Sequence, residues 1–399
     1  MAWYQIEFTS IDPLFFGDSR STRLGMDHLI RDQDPSPLTL YGAASQYFIN
    51  QLNIDIPWSG NNPVMGKWLN NINNTEKASP AEITESAGYC LLDSKLREWY
   101  PKPMHLRIRS LPGNKNRYKS MNDLITPVSN DGKNSRSSLS GLENNYLLNC
   151  PLIKPELNGG EKEDEDNILV SGEILSQILT GKLEQVFNKD DHWCFPQEIW
   201  KRENRTGIMM DNNTNLTKEG LLFNRPTRRF KRNTNLPDSC NQGGIRLWYK
   251  TLKQVDNLSP SEVTCGGDRR RVMVKAESIT GIPLSDIKNK VINTINNSQG
   301  FLIYCLTPLI KKSDYPLVSG NKPIAFTTGK PVQISGWDNF HYCPREMLWA
   351  YPAGSIFFYE WPSVDLGEKK IIIENYWLKS LYEEYYPTGL NRILTGVWK

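Results

Sequence analysis

At 399 residues, with 38% apolar and 23% charged residues and a net charge of +3, the chain has the size for two domains and the composition of a soluble globular protein. No run of about 18 apolar residues exists to cross a bilayer, and MAWYQIEFTS carries no basic leader before an apolar segment, so a cytoplasmic protein with no membrane partner is expected. Seven widely spaced cysteines without a C-x-x-C pair exclude a zinc ribbon and a disulfide framework.

Residues 3 to 9 (WYQIEFT) alternate, with Tyr4, Ile6 and Phe8 on one side, which predicts a half-buried strand. In DPSPLTLYGAASQYFINQL, Ser36 suits a helix N-cap and Pro37 the first helical position, and Leu38, Tyr41, Ala44, Phe48 and Leu52 follow at helical spacing. The loop between them, SIDPLFFGDSRSTRLGMDH, is long for such a connection. Leu14, Phe15 and Phe16 can pin its start, Gly17 permits unusual backbone geometry, and Arg20 and Arg23 then lie near a helix N-terminus, a setting that favours an anion. The alternative is that they pair with Asp18, Asp27 and Asp32.

The segment from about 102 to 166 is rich in Asn, Ser, Lys and Gly and reads as a loop-rich or disordered insertion; its run EKEDED reads as a solvated loop. A short helix is expected at about 172 to 188. From 207 the pattern becomes strand-like runs punctuated by turns: GIMMD, GLLFN, GGIRLWYKTL and RRVMVKAES. A polar helix near 284 to 297 precedes GFLIYCLTPLI; GSIFFYEW then leads into KKIIIENYWLKSLYEEYY, a predicted helix, and the closing PTGLNRILTGVWK. Helices and hairpin-like strand pairs are interleaved throughout, which suits α+β domains with antiparallel sheets.

Charge is concentrated between Lys201 and Lys275, which hold 16 Lys and Arg against 7 Asp and Glu. Within it, FNRPTRRFKRN sets Arg225, Arg228, Arg229, Lys231 and Arg232 around Phe223 and Phe230. Arginine forks onto phosphates and aromatics offer bases a flat face, so the mixture suits single-stranded nucleic acid; a solvated loop is the alternative. In CGGDRRR, Gly266 and Gly267 allow a partner backbone to approach, and strand alternation would send Arg269 and Arg271 to one face and Arg270 to the other. Gly329 and Lys330 lack the spacing of a phosphate-binding Walker loop, and Gly389 and Gly396 bracket Arg392 in a glycine-punctuated terminal loop.

No catalytic set declares itself: there is no G-x-S-x-G, no H-E-x-x-H and no Cys/His pair beyond His192 and Cys194, where burial outweighs metal ligation. No metal and no cofactor are expected. His28 is the residue through which acid–base chemistry on RNA would have to run; packing, or one hydrogen bond to a phosphate, is the simpler role.

Taken in order, IDPLFFGDSR, PSPLTLYGAA, RTGIMMDNNTNLTKEGLLF, CGGDRRR, GKPVQISGWD and YPAGSIFFYE resemble the third subunit of the Cmr-type (type III-B) CRISPR effector complex, within the RAMP superfamily. The resemblance implies two ferredoxin-like (RRM-like, βαββαβ) domains with long insertions, expected here at 1–205 and 206–399. It implies a non-catalytic subunit that caps the 5′ repeat-derived tag of the crRNA and docks the large polymerase-like subunit and a backbone RAMP subunit, meeting target RNA indirectly. Carried onto this chain, the tag-contact candidates are Asp18, Arg20, Arg23 and His28 in the first loop and Ser36 and Thr39 at the helix start. Arg225, Arg228, Arg229 and Lys231, the Gly266 to Arg271 turn, Lys330 and Arg392 complete the set. Two departures matter: Phe16-Gly17-Asp18 stands where the family often has Phe-Arg-Asp, so Arg20 has to replace an expected arginine, and the Asn-rich insertion also fits the equivalent subunit of a type III-D complex. The rival function is an RNA-processing endoribonuclease of the same superfamily.

Overall fold

The computed structural model describes residues 2–17, 34–52, 83–110, 119–124, 126–129, 146–149, 168–183, 186–210, 217–233, 242–251, 254–255, 257–313, 316, 318, 320–338, 343–344, 346–382 and 387–399. In chain order the first elements are β1 (Ala2–Ser10), α1 (Pro37–Gln51), β2 (Ile83–Leu92), β3 (Glu98–Pro101), β4 (Leu106–Ser110), β5 (Lys119–Leu124), β6 (Thr126–Ser129) and β7 (Tyr146–Asn149). Next come β8 (Leu169–Ser171), α2 (Gly172–Leu179), β9 (Val186–Asn188), β10 (Trp193–Cys194), α3 (Pro196–Ile199), β11 (Trp200–Met210) and β12 (Thr217–Phe230). β13 (Gly244–Thr251), β14 (Ser261–Thr264), β15 (Arg271–Ile279), α4 (Ser285–Ile292), β16 (Gly300–Cys305), β17 (Leu309–Ile310), β18 (Ala325–Thr327) and β19 (Val332–Ile334) follow. The chain closes with β20 (Trp337–Asp338), β21 (Cys343–Pro344), β22 (Leu348–Tyr351), β23 (Ile356–Glu360), α5 (Leu366–Tyr376) and β24 (Ile393–Trp398).

The largest sheet has eight strands in the order β10-β8-β3-β2-β13-β1-β15-β14, with every neighbouring pair antiparallel. Its central four, β2-β13-β1-β15, take strands from both sides of residue 205. Alternation along β1 puts Tyr4, Ile6 and Phe8 into a core beneath α1, where Tyr41, Ala44, Tyr47 and Phe48 meet them. The opposite face of the same sheet carries Ala87, Cys90, Tyr100, Val170 and Trp248 into a second core. That core is shared with a four-stranded antiparallel sheet, β18-β23-β16-β24, and with the apolar sides of α2, α4 and α5. β16 and β24 are buried along their whole length, which explains their unbroken apolar runs GFLIYC and ILTGVW. A third, smaller core of Ile310, Ile334, Ala350 and Leu390 lies under the sheet β17-β22-β19, and Leu38 of α1 packs against it.

The first strand and first helix form as their sequences predict, and Pro37 opens the helix. The helix expected at 172–188 stops at Leu179: Gly181 adopts φ +63°, Lys182 donates to the carbonyl of Gln177, and the chain re-enters as β9. The helix predicted near 284–297 is a two-turn α4 followed by a 3-10 turn, Ile295–Asn297. The last helix ends at Tyr376 rather than continuing through LKSLYEEYY, because Leu378 is held at φ +55° by its amide's bond to Ile393. Within the segment read as loop-rich insertion, β4 and β5 pair, and Leu106 and Ile108 are fully buried. That part is core, not loop.

Gly396 shows how closely the layers approach. A Cβ there would lie 2.8 Å from the carbonyl oxygen of Leu179, so α2 rests directly on the backbone of β24. Among the described residues, no helix is long and apolar enough to cross a membrane.

Candidate functional site

Three sequence-distant motifs meet at the exit of β1. The amides of Ile11 and Asp12 both donate to the carbonyl of Arg271 at 3.2 Å, and the Asp12 carboxylate accepts from the Arg271 amide at 3.0 Å and its Nε at 3.3 Å. The Arg271 amide and guanidinium hold the Asp12 carboxyl below the usual range. Leu14 and Arg228 exchange two backbone hydrogen bonds of 2.7 Å, which joins the loop after β1 to β12. The Gly267 amide donates to the carbonyl of Phe15 at 2.9 Å. Gly266, at φ +82°, leaves no room for a side chain: a Cβ would stand 2.5 Å from the same carbonyl. The two glycines therefore admit the protein's own Leu14 to Phe16 knot. Beside this seam, Gln242 bonds Ser10 through its side chain and bridges Arg232 through its backbone.

The β11–β12 hairpin rises from the seam. Its register sets Lys201 opposite Arg229, Arg202 opposite Arg228 and Arg205 opposite Arg225. Strand alternation separates two faces. On the inner face, Trp200 and Phe230 pack edge to face, and the Arg228 guanidinium lies 4.3 Å from the Trp200 ring centre. Arg228 is 5% exposed and ion-paired to Asp34 at 2.9 Å. On the outer face are exposed Lys201 and Arg205, half-exposed Arg229, and the register position of Arg225. Among the described side chains of the hairpin, Glu203 is the only carboxylate; it lies 3.1 Å from Arg229 and 4.0 Å from Arg205. Cations directly opposed across two strands repel, so this face is loaded with positive charge that a polyanion relieves.

The predicted residues divide accordingly. Asp18, Arg20, Arg23 and His28 lie outside the described residues, as does the side chain of Arg225. Ser36 is the N-cap of α1 but makes no capping side-chain hydrogen bond, and Thr39 is half-buried on the first turn. Arg229, Lys231 and Arg269 to Arg271 lie on the hairpin or at the seam, with Lys231, Arg269 and Arg271 exposed. Arg271 is paired with Asp12 and Glu262. The predicted alternation of Arg269, Arg270 and Arg271 along a strand is corrected: Gly267–Arg269 forms a 3-10 turn and β15 begins at Arg271. Lys330 is exposed on the turn into β19.

Two arginines are not surface contacts. Arg228 is walled in by Trp200 and Asp34. Arg392 is fully buried: its Nη1 donates to the carbonyl of Leu378 at 2.8 Å and lies 3.7 Å from Glu85. Both roles are structural, and the expectation that they face RNA is withdrawn. The glycine-punctuated terminal loop is likewise interior, with Leu390 and Asn391 buried and Thr307 donating to the carbonyl of Gly389. Lys201 and Arg205 of the outer face were not singled out in the sequence; the signal was KRENR lying opposite an equally basic strand.

His105 is buried edge-on to Phe358, and burial, then Lys102, pulls its pKa down to about 3, so it is neutral and structural. Cys90, Cys194, Cys265 and Cys305 are buried free thiols whose pKa values burial raises. No group of three or more potential metal ligands gathers among the described residues.

The chain was compared with known proteins. No curated protein matches it. Among solved structures, one similar chain is from "Cryo-EM structure of the Type III-B Cmr-beta bound to cognate target RNA", at 15% identity and TM-score 0.46, covering 89% of this chain and 86% of that one. Another is from the Type III-B Cmr-beta bound to cognate target RNA and AMPPnP, state 1, at 15% identity and TM-score 0.45, covering 93% and 88%. A family model described as "CRISPR-associated protein (Cas_Cmr3)" matches residues 6–398. With nearly its whole length inside that match, the chain belongs to the Cas_Cmr3 family of CRISPR-associated proteins.

Proposed function

We propose that this chain is a non-catalytic, RNA-binding subunit of a type III-B CRISPR effector complex, and that the outer face of the β11–β12 hairpin with the adjoining seam grips the 5′ tag of the crRNA. The observation that carries the reading is the opposition of Lys201 to Arg229 and of Arg205 to Arg225 across the hairpin, with Glu203 as the one described carboxylate between them. Lys201, Arg205, Arg229, Lys231 and Arg269 neutralise phosphates, while the seam holds the hairpin's base in a fixed direction. The hairpin itself is suited to wedge between tag and guide. The large polymerase-like subunit and a backbone RAMP subunit are the proposed protein partners, with target RNA met through the crRNA.

The strand orders support two ferredoxin-like units. In each of β2-β13-β1-β15 and β18-β23-β16-β24, the order by chain position is second, third, first, fourth, and all neighbours are antiparallel. Each keeps one connecting helix, α1 in the first and α5 in the second. We place the division near residue 280, since a cut at 205 would part β1 from both of its neighbours.

Ultraviolet cross-linking of the complex, followed by mapping of the linked peptides and sequencing of the bound RNA, tests this. Cross-links from the 200–232 region to the first nucleotides of a small RNA are expected. Cross-links confined to other subunits would contradict it, and cleavage of labelled repeat RNA by the wild-type chain, abolished by His28→Ala, would establish the endoribonuclease instead.

A further inference from the structure

A second surface combines aromatic and basic groups far along the chain from the hairpin. Trp349, the second residue of β22, is 52% exposed. It sits on the middle strand of the three-stranded sheet, opposite Gln333 on β19, and its carbonyl accepts from the amide of Lys311 at 2.7 Å. Lys311, Trp349 and Gln333 therefore form a row across the outer face, while Ile310, Ala350 and Val332 form the row beneath. Lys311, Lys312, Ser313 and Pro331 line a shallow depression around the indole. Lys311, Lys312 and Lys330 are exposed, and the Lys312 ammonium lies 5.0 Å from the Tyr382 ring centre. Glu346, three residues before Trp349, is exposed.

We propose that Trp349 is a stacking platform for a base of single-stranded RNA, with Lys311 and Lys312 holding the flanking phosphates. A flat indole standing on a sheet beside two lysines offers a base its π-face and the backbone its counter-charge, the two elements of sequence-tolerant single-strand binding. Among the described residues, the exposed apolar surface here is one ring with Met347 and Pro331 beside it, too small for the apolar centre of a stable protein interface. Position supports the same occupant. Asp34 pairs with Arg228 at the hairpin's base, and Leu38, four residues on, packs into the core beneath β22, so the start of α1 links both surfaces. The platform rests on the RNA-binding reading above and adds a second contact to it.

The test is binding of a fluorescent oligouridine of about 12 nucleotides, lacking any tag sequence, to the full-length chain. Trp349→Ala is expected to weaken binding about tenfold, the order of one stacked base, while Trp349→Phe keeps most of the affinity. Lys311→Ala with Lys312→Ala should flatten the log–log salt slope by about 1.4. Wild-type affinity and slope in all these variants would overturn the platform. So would variants that bind the oligonucleotide normally yet fail to enter the assembled complex, because the surface then meets protein. Lys201→Ala with Arg205→Ala, measured alongside, separates the two claims: weakening there but not at Trp349 sinks the platform alone, and no measurable binding by the wild type at low salt sinks both.

Discussion

Replacing Arg392 with alanine is expected to lower the unfolding free energy by about 3–5 kcal/mol, the cost of removing one partner from a buried charge pair. The guanidinium has no solvent exposure, donates to the carbonyl of Leu378 and approaches Glu85, whose side chain is 18% exposed. Glu85 belongs to β2 and Arg392 precedes β24, so the contact ties the eight-stranded sheet to the second sheet across their shared core. Truncation leaves a mostly buried carboxylate, with the Lys250 ammonium 3.6 Å away, and an unoccupied volume. Arg392→Met restores the volume without the charge and should recover part of the loss. Urea denaturation followed by far-ultraviolet circular dichroism checks the order wild type, then methionine, then alanine. An alanine variant as stable as the wild type would remove Arg392 from the account of how the sheets are joined.

Arg228→Ala is expected to cost about 2–3 kcal/mol, from the loss of its charge-assisted hydrogen bond to Asp34 and its buried cation–π contact with Trp200. The figure is lower than for Arg392 because Asp34, its ion partner, is 72% exposed and returns to water when released. The diagnostic result lies in comparing two assays. A fall in the urea midpoint should accompany RNA affinity that changes less than about threefold under conditions where the variant is folded. If Arg228→Ala were fully stable but bound RNA far more weakly, the guanidinium would be a phosphate contact and the hairpin's inner face would be misassigned.

These two arginines also show where sequence reading reaches its limit. FNRPTRRF displays which residues are cationic, but strand parity decides which face each takes, and the parity becomes visible only with the partner strand. Trp200 opposite Phe230 fixes the inner face, and Arg228, two residues from Phe230, follows it inward. The same logic exposes Lys201 and Arg205, which drew no attention as part of KRENR. The alternation of Tyr4, Ile6 and Phe8, by contrast, and the Ser36-Pro37 start of α1 were legible because each is written within a few consecutive residues. Gly266 and Gly267 do make room for a close backbone, but where the sequence suggests a partner's backbone the space is taken by that of Phe15, 251 positions earlier than Gly266, and nothing local marks it. The family resemblance, carried by six short motifs in order, did what no single motif did.

The most direct test of the central claim, that the outer face of the β11–β12 hairpin neutralises RNA phosphates, is the salt dependence of binding. The affinity of the full-length chain for a tag-bearing single-stranded crRNA should be measured across a range of potassium chloride concentrations, for the wild type and for Lys201→Ala/Arg205→Ala/Arg229→Ala. With about six phosphates engaged, the wild-type log–log slope is expected near −4, and the triple variant should bind more weakly with a slope shallower by about 2. A wild-type slope near zero, or a triple variant that matches the wild type in both affinity and slope, would contradict the account.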